Sequence, residues 1–85
     1  MKHRASIRGV MIPNDYKWYY NLFKEDSTCP RDIESVLEKV AIGDEVEIDI
    51  NSPGGVIDVG SEIYTMIREA AKTTPIKMKI TGQAC

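Results

Sequence analysis

Ile48-Asp49-Ile50-Asn51-Ser52-Pro53-Gly54-Gly55-Val56-Ile57 is the stretch on which the fold of this chain turns. Its first part continues an alternation begun at Glu45. Val46, Ile48 and Ile50 fall on one side and Glu45, Glu47 and Asp49 on the other, the period of two that marks a strand buried on one face. The carboxylates read as a solvated strand face. Asn51 to Gly55 then carries turn chemistry. Asn and Ser side chains bond local backbone, Pro53 fixes φ, and two glycines permit positive φ and close approach of another group. After Ile57 the period changes to that of a helix, through Gly60, Ile63, Ile67 and Ala70-Ala71, with Asp58 as the candidate N-cap.

Outward from this centre the same grammar repeats. Upstream, Ser27-Thr28-Cys29-Pro30 reads as a helix start, because small polar side chains cap free amides and Pro is tolerated in the first turn. Ile33, Val36, Leu37 and Val40 give that helix one buried stripe, and Gly43-Asp44 ends it. Downstream, Thr73-Thr74-Pro75 breaks the second helix, and Ile76, Met78 and Ile80 alternate with Lys77 and Lys79 in a last strand. At the front, Ile7, Val10, Met11 and Ile12 form a short strand closed by Pro13-Asn14-Asp15. Residues 13–28 are an insertion dense in aromatics, Tyr16, Trp18, Tyr19, Tyr20 and Phe23. They read either as a satellite cluster over the first strand, or as a wall of a peptide-binding groove or a subunit contact. The order β, insertion, α, β, α, β places two strand–helix–strand crossovers in succession, which predicts an α/β layered fold with a largely parallel sheet.

Composition narrows the function classes. Eighty-five residues accommodate one domain or part of one. A hydrophobic content of 42% with 28% charged residues is globular composition. The net charge of −2 gives no general attraction to nucleic acid. No apolar run reaches the length of a membrane span, and Met1-Lys2-His3-Arg4 does not open a signal peptide, so a cytoplasmic location is expected. Lys2, Arg4 and Arg8 lie far in sequence from the main run of acids, and the basic start reads as a solvated end. His3, the single histidine, reads as an exposed terminal side chain. Cys29 and Cys85 lack metal-ligand spacing, and no carboxylate pair indicates metal or glycosidase chemistry. No cofactor is expected.

In chemical terms, the glycine turn after a strand directs amide N–H groups outward at the carboxyl end of the sheet, where such folds bind ligands, and the following helix adds its positive end. That combination suits a developing negative charge, such as the oxyanion of acyl transfer. A plain tight turn is the competing reading, and a P-loop is excluded because no Gly-Lys-Ser/Thr follows.

Three blocks in order resemble the Clp protease proteolytic subunit family: residues 48–57 as quoted, then Gly60 with Ile63-Tyr64, then Thr81-Gly82-Gln83-Ala84. Ile7-Arg8-Gly9-Val10, Pro13-Asn14-Asp15-Tyr16 and Ser27-Thr28-Cys29-Pro30 look similar to its phage-encoded branch, associated with capsid-protein processing. The resemblance implies a ClpP/crotonase-like layered fold, here in truncated form. It implies Gly55 as an oxyanion-hole amide on the turn Ser52-Pro53-Gly54, and Gly82-Gln83-Ala84-Cys85 as the run preceding a nucleophilic serine. That serine and the family's later His and Asp are not among the 85 residues, so the expectation is a fragment inactive by itself. A peptide or protein substrate in a longer parent, and homo-oligomers or other self-association, are the partners implied. Two alternatives stand beside it: a non-catalytic assembly module related to the same family, and a crotonase-like acyl-CoA-binding relative. Because nothing after the last strand would cover Ile76, Met78 and Ile80, that face together with Ile63 and Ile67 is expected to be partly uncovered.

Overall fold

A computed structural model describes residues 1–81. Eight elements follow one another along the chain. Strand β1 is Lys2–Met11, followed by a 3-10 turn Asn14–Tyr16 and the short helix α1, Lys17–Leu22. Then come β2 (Ser27–Thr28), α2 (Pro30–Leu37), β3 (Glu45–Gly55), α3 (Ile57–Ala71) and β4 (Ile76–Ile80). All strand pairs are parallel and the sheet order is β2-β1-β3-β4. The α/β class and parallel sheet expected from the sequence are present.

One face of the sheet makes the core. Ile7 from β1 and Val46 and Ile48 from β3 pack against Ile33 of α2 and Val59, Ile63 and Ile67 of α3, and all are buried. The spacing 59, 63, 67 is one helical stripe, which is why α3 lies along the sheet on that side. Ile63 and Ile67 are therefore covered, contrary to the expectation that they share an open face. Met78 and Ile80 of β4 are open, 41% and 67% exposed. The other sheet face is polar and ordered by charge. Parallel register sets Lys2 opposite Glu45 and Arg4 opposite Glu47, with Lys77 and Lys79 opposite Glu47 and Asp49 on the far side. An acidic central strand thus lies between two basic ones, an arrangement that favours this register.

That lattice corrects the reading of the N-terminus. Residues 2–11 form a strand paired with β3 along its length and with β2 at Val10 and Met11, and Lys2 pairs with Glu47 at 3.0 Å while Arg8 reaches Asp26 at 3.9 Å. Nor is His3 an exposed end group. Its side chain is only 11% exposed, and Nε2 lies 2.8 Å from Asp44 Oδ2. Asp44 also accepts from the amide of Ala41 and from the terminal amine of Met1. These donors, His3 foremost, hold its carboxyl well below the usual carboxylate range. Lys2 lowers Glu47 in the same direction.

Element ends differ from the sequence reading for local reasons. Ser27-Thr28 is a strand and not a cap, because the Thr28 hydroxyl is buried against β1. The start of α2 is fixed instead by extended Cys29, whose N–H donates to Asp32 Oδ2 at 3.0 Å, with Pro30 in the first turn. That helix stops at Leu37, well before Gly43, and the chain turns so that Asp44 can gather its three donors. Helix α3 begins at Ile57 with Val56 as N-cap and no side-chain cap, so Asp58 is a first-turn acid and not the cap.

Candidate active site

The quoted glycine segment does not leave the sheet. β3 continues through Gly55, with Val10 opposite Gly54 and Met11 opposite Gly55. What breaks is the register: Arg8 pairs with Asn51 and Val10 with Gly54, so Gly9 alone faces both Ser52 and Pro53. This is a bulge, the position in a sheet where a donorless Pro is tolerated. The turn reading is therefore corrected to a bulged ribbon still hydrogen-bonded to β1.

Two buried hydroxyls lock the bulge. Ser52, 2% exposed, donates to the carbonyl of Gly9 and accepts the amide of Gly54 at 3.1 Å. Thr28, also 2% exposed, holds the other flank of β1. Its Oγ1 accepts from Arg8 N–H at 2.8 Å and donates to Arg8 C=O at 2.8 Å. Arg8 and Gly9 are thus gripped from both sides by side chains that carry no charge. Sequence reasoning placed Ser52 in the turn but missed Thr28 and Gly9; a glycine inside an apolar strand was the available signal for a bulge.

Gly55 has φ 155° and Gly54 φ 109°. A Cβ on Gly55 would lie closer than 3.0 Å to both the carbonyl oxygen and the amide nitrogen of Met11. Only glycine lets β1 and the ribbon approach this closely. Immediately beyond, Val56 N–H donates to Met11 C=O at 3.1 Å and α3 starts. The ribbon therefore runs directly into a helix N-terminus, a place suited to negative charge. Above it Met11, Gly54, Gly55, Val56 and Gly60 line an open hollow of about 460 Å³. An apolar hollow of about 290 Å³ between α3 and the β3–β4 side, reaching Met78, meets it at Met11 and Gly60.

The residues that the sequence reading grouped are only partly joined. Ser52, Pro53, Gly54 and Gly55 form one ribbon, whereas Gly82, Gln83, Ala84 and Cys85 lie outside the described residues. His3 stands eight residues before Met11 on the same strand, roughly 26 Å away at ~3.3 Å per residue. It belongs to the Asp44 cluster and not to the ribbon. Among the described residues no group of three or more His, Cys, Asp or Glu side chains is placed to hold a metal ion. None of their helices is long and apolar enough to cross a membrane.

The aromatic insertion is anchored by polar ties. Lys17 Nζ donates to Ser27 C=O at 2.7 Å and pairs with Asp32 at 3.0 Å, and Asn14 Oδ1 accepts from Arg31 N–H at 2.9 Å. Its rings contact one another, Tyr19 with Phe23 at 4.8 Å and with Trp18 at 5.9 Å. Ile12, Pro13, Tyr16, Tyr19, Tyr20 and Val56 line a further open hollow of about 380 Å³, which abuts the ribbon at Val56.

No curated protein and no solved structure matches the chain. The Clp protease family model matches residues 33–85, which takes in the later part of α2, β3 with its ribbon, α3 and β4. That span is more than half of the 85 residues and contains the bulged glycine ribbon whose geometry has just been described, and on it the chain belongs to the Clp protease family.

Proposed function

We propose that this chain supplies the oxyanion-binding ribbon and substrate-facing sheet end of a ClpP-like serine endopeptidase domain, of the phage or prophage capsid-processing type. The observation that carries the reading is Gly55: a backbone position closed to any side chain, on a ribbon fixed by Ser52 and followed at once by a helix N-terminus. Such fixed amides act on charge that develops in a transition state, and removing one oxyanion donor typically costs about 10²–10³ in rate. The capsid-processing assignment rests on the resemblance of residues 7–30, where Pro13-Asn14-Asp15-Tyr16 forms the anchored 3-10 turn.

Residues 1–85 alone are inactive in this reading. An oxyanion donor needs a nucleophile and a base beside it, and the one histidine is held by Asp44 at the opposite end of β1. The direct test is incubation of the 85-residue chain with fluorogenic peptides and a serine-reactive fluorophosphonate. Turnover, or labelling of any serine, refutes it. The open side of β4, with Met78 and Ile80, supports a second reading in which the chain is an assembly module docking on further copies or subunits.

A further inference from the structure

The insertion between β1 and β2 has a feature that core packing does not explain. Polar ties from Lys17 and Asn14 hold it against β2 and α2, yet it leaves Tyr16, Trp18, Tyr19, Leu22 and Phe23 about half exposed or more. Fixing large apolar side chains in water stabilises nothing by burial, and a patch of this kind marks a contact site. Moreover, the insertion precedes the residues matched by the family model.

We propose that the hollow formed by Ile12, Pro13, Tyr16, Tyr19 and Tyr20 is a specificity pocket for a large apolar or aromatic side chain of an extended peptide lying on the Gly54–Val56 ribbon. The inference rests on the ribbon reading given above and names the substrate class for it. Val56 is the link. It lines both the ribbon hollow and the aromatic one, and Met11 and Ile12, adjacent on the chain, line one each. A ligand that fills both must be elongated, with one branch entering the aromatic hollow, which is the shape of a peptide backbone and one side chain. A volume of about 380 Å³ accommodates one aromatic side chain. It is lined by three tyrosines with Ile12, Pro13 and Val56 and by no charged side chain, so an apolar ring or branched aliphatic chain is favoured over a charged one, and aromatic contacts add selectivity. A second copy of the chain is the competing occupant; the wall that this hollow shares with the ribbon hollow at Val56 favours a ligand that lies on the ribbon as well.

The test varies the ligand so that no variant has to fold. An acetylated, amidated pentapeptide of alanines with central p-benzoylphenylalanine is photo-crosslinked to the protein at micromolar concentration, and the sites are mapped by mass spectrometry. Peptides with central phenylalanine and central alanine compete. Expected are crosslinks to Tyr16, Tyr19 or Tyr20, with the phenylalanine peptide competing about tenfold better or more. Crosslinks confined to residues 53–61, with both competitors equal, overturn the pocket and leave the ribbon reading standing. Crosslinks away from both, or none, overturn pocket and ribbon together. A crosslink yield that falls as protein concentration rises gives the hollow to a second copy and overturns the proposal.

Discussion

Three glycine-to-alanine substitutions separate the causes that make Gly55 a glycine. Gly43 and Gly55 both have φ in the region that side chains avoid, 90° and 155°. A Cβ at Gly43 meets nothing within 4 Å, whereas at Gly55 it runs into the Met11 backbone. Both replacements therefore carry conformational strain of about 1–2 kcal/mol. Only Gly55→Ala must also push β1 from the ribbon. That loosens the Val56 N–H to Met11 C=O bond and the Met11–Gly55 pairing, a further cost of about 1–2 kcal/mol. Gly60→Ala is the converse control. Gly60 is inside α3, its φ is ordinary, and the added methyl meets only the flexible end of Met11 at 3.3 Å. Helix propensity then makes the change neutral or stabilising by up to about 1 kcal/mol. Urea unfolding of the three variants and the parent gives the differences directly. The expected order of stability is Gly60→Ala highest, then Gly43→Ala, with Gly55→Ala about 1–2 kcal/mol below Gly43→Ala. Equal losses at 43 and 55 would show that β1 and the ribbon are not in backbone contact, and the oxyanion argument would lose its geometric basis.

Acid should lower stability in part through Asp44 and Glu47. Both carboxyls are depressed in the folded state, so the stability they add is complete above their unfolded values near 4 and is lost as pH falls below that. Melting temperature followed from pH 6 to pH 2 should drop below about pH 4, and Asp44→Asn should flatten part of that drop; an identical slope in the variant refutes the assignment. Thr28→Val removes the partner of the part-buried Arg8 amide and carbonyl, for a loss of about 1–2 kcal/mol in urea titration, while Thr28→Ser should recover most of it. Light scattering of the 85-residue chain should give masses above 9.6 kDa that rise with concentration, and Met78→Lys with Ile80→Lys should reduce them. A concentration-independent monomer would show that the exposed β4 face does not self-associate.

How much of this was legible depended on whether the signal was local. Periodicity sufficed for α2, α3 and β3, since Ile33, Val46, Ile48, Ile63 and Ile67 announce their buried faces by spacing alone and all five are buried; it placed β4 as well, although Met78 and Ile80 there are exposed. The first strand was read too short. Lys2, Arg4, Ser6 and Arg8 alternate with His3, Ala5 and Ile7, but a basic polar face looks like a solvated terminus until the acidic strand that pairs with it is known. His3 was misjudged for the same reason, because its partner Asp44 is 41 residues away.

The candidate site shows where sequence pattern stops being informative. Pro-Gly-Gly is turn chemistry by every local rule, yet here it stays in a sheet, because the conflict between Pro53 and the ladder is resolved by a second irregularity on the neighbouring strand. Gly9 has φ 63°, and a side chain there would collide with the Asp26 backbone as surely as one at Gly55 would collide with Met11. The two glycines occupy opposite sides of one bulge, and Ser52, between them, hydrogen-bonds to the backbone of both Gly9 and Gly54. A single strand cannot display such a device, since each half looks like an isolated defect; pairing turns two defects into one rigid fitting that holds Gly54 and Gly55 at the head of α3. On the proposed oxyanion reading, the rigidity matters for function. An amide that must meet a transient charge is useful only if it does not reorganise when the charge appears, and a ribbon pinned by buried hydroxyls meets that requirement better than a turn held by its own residues alone.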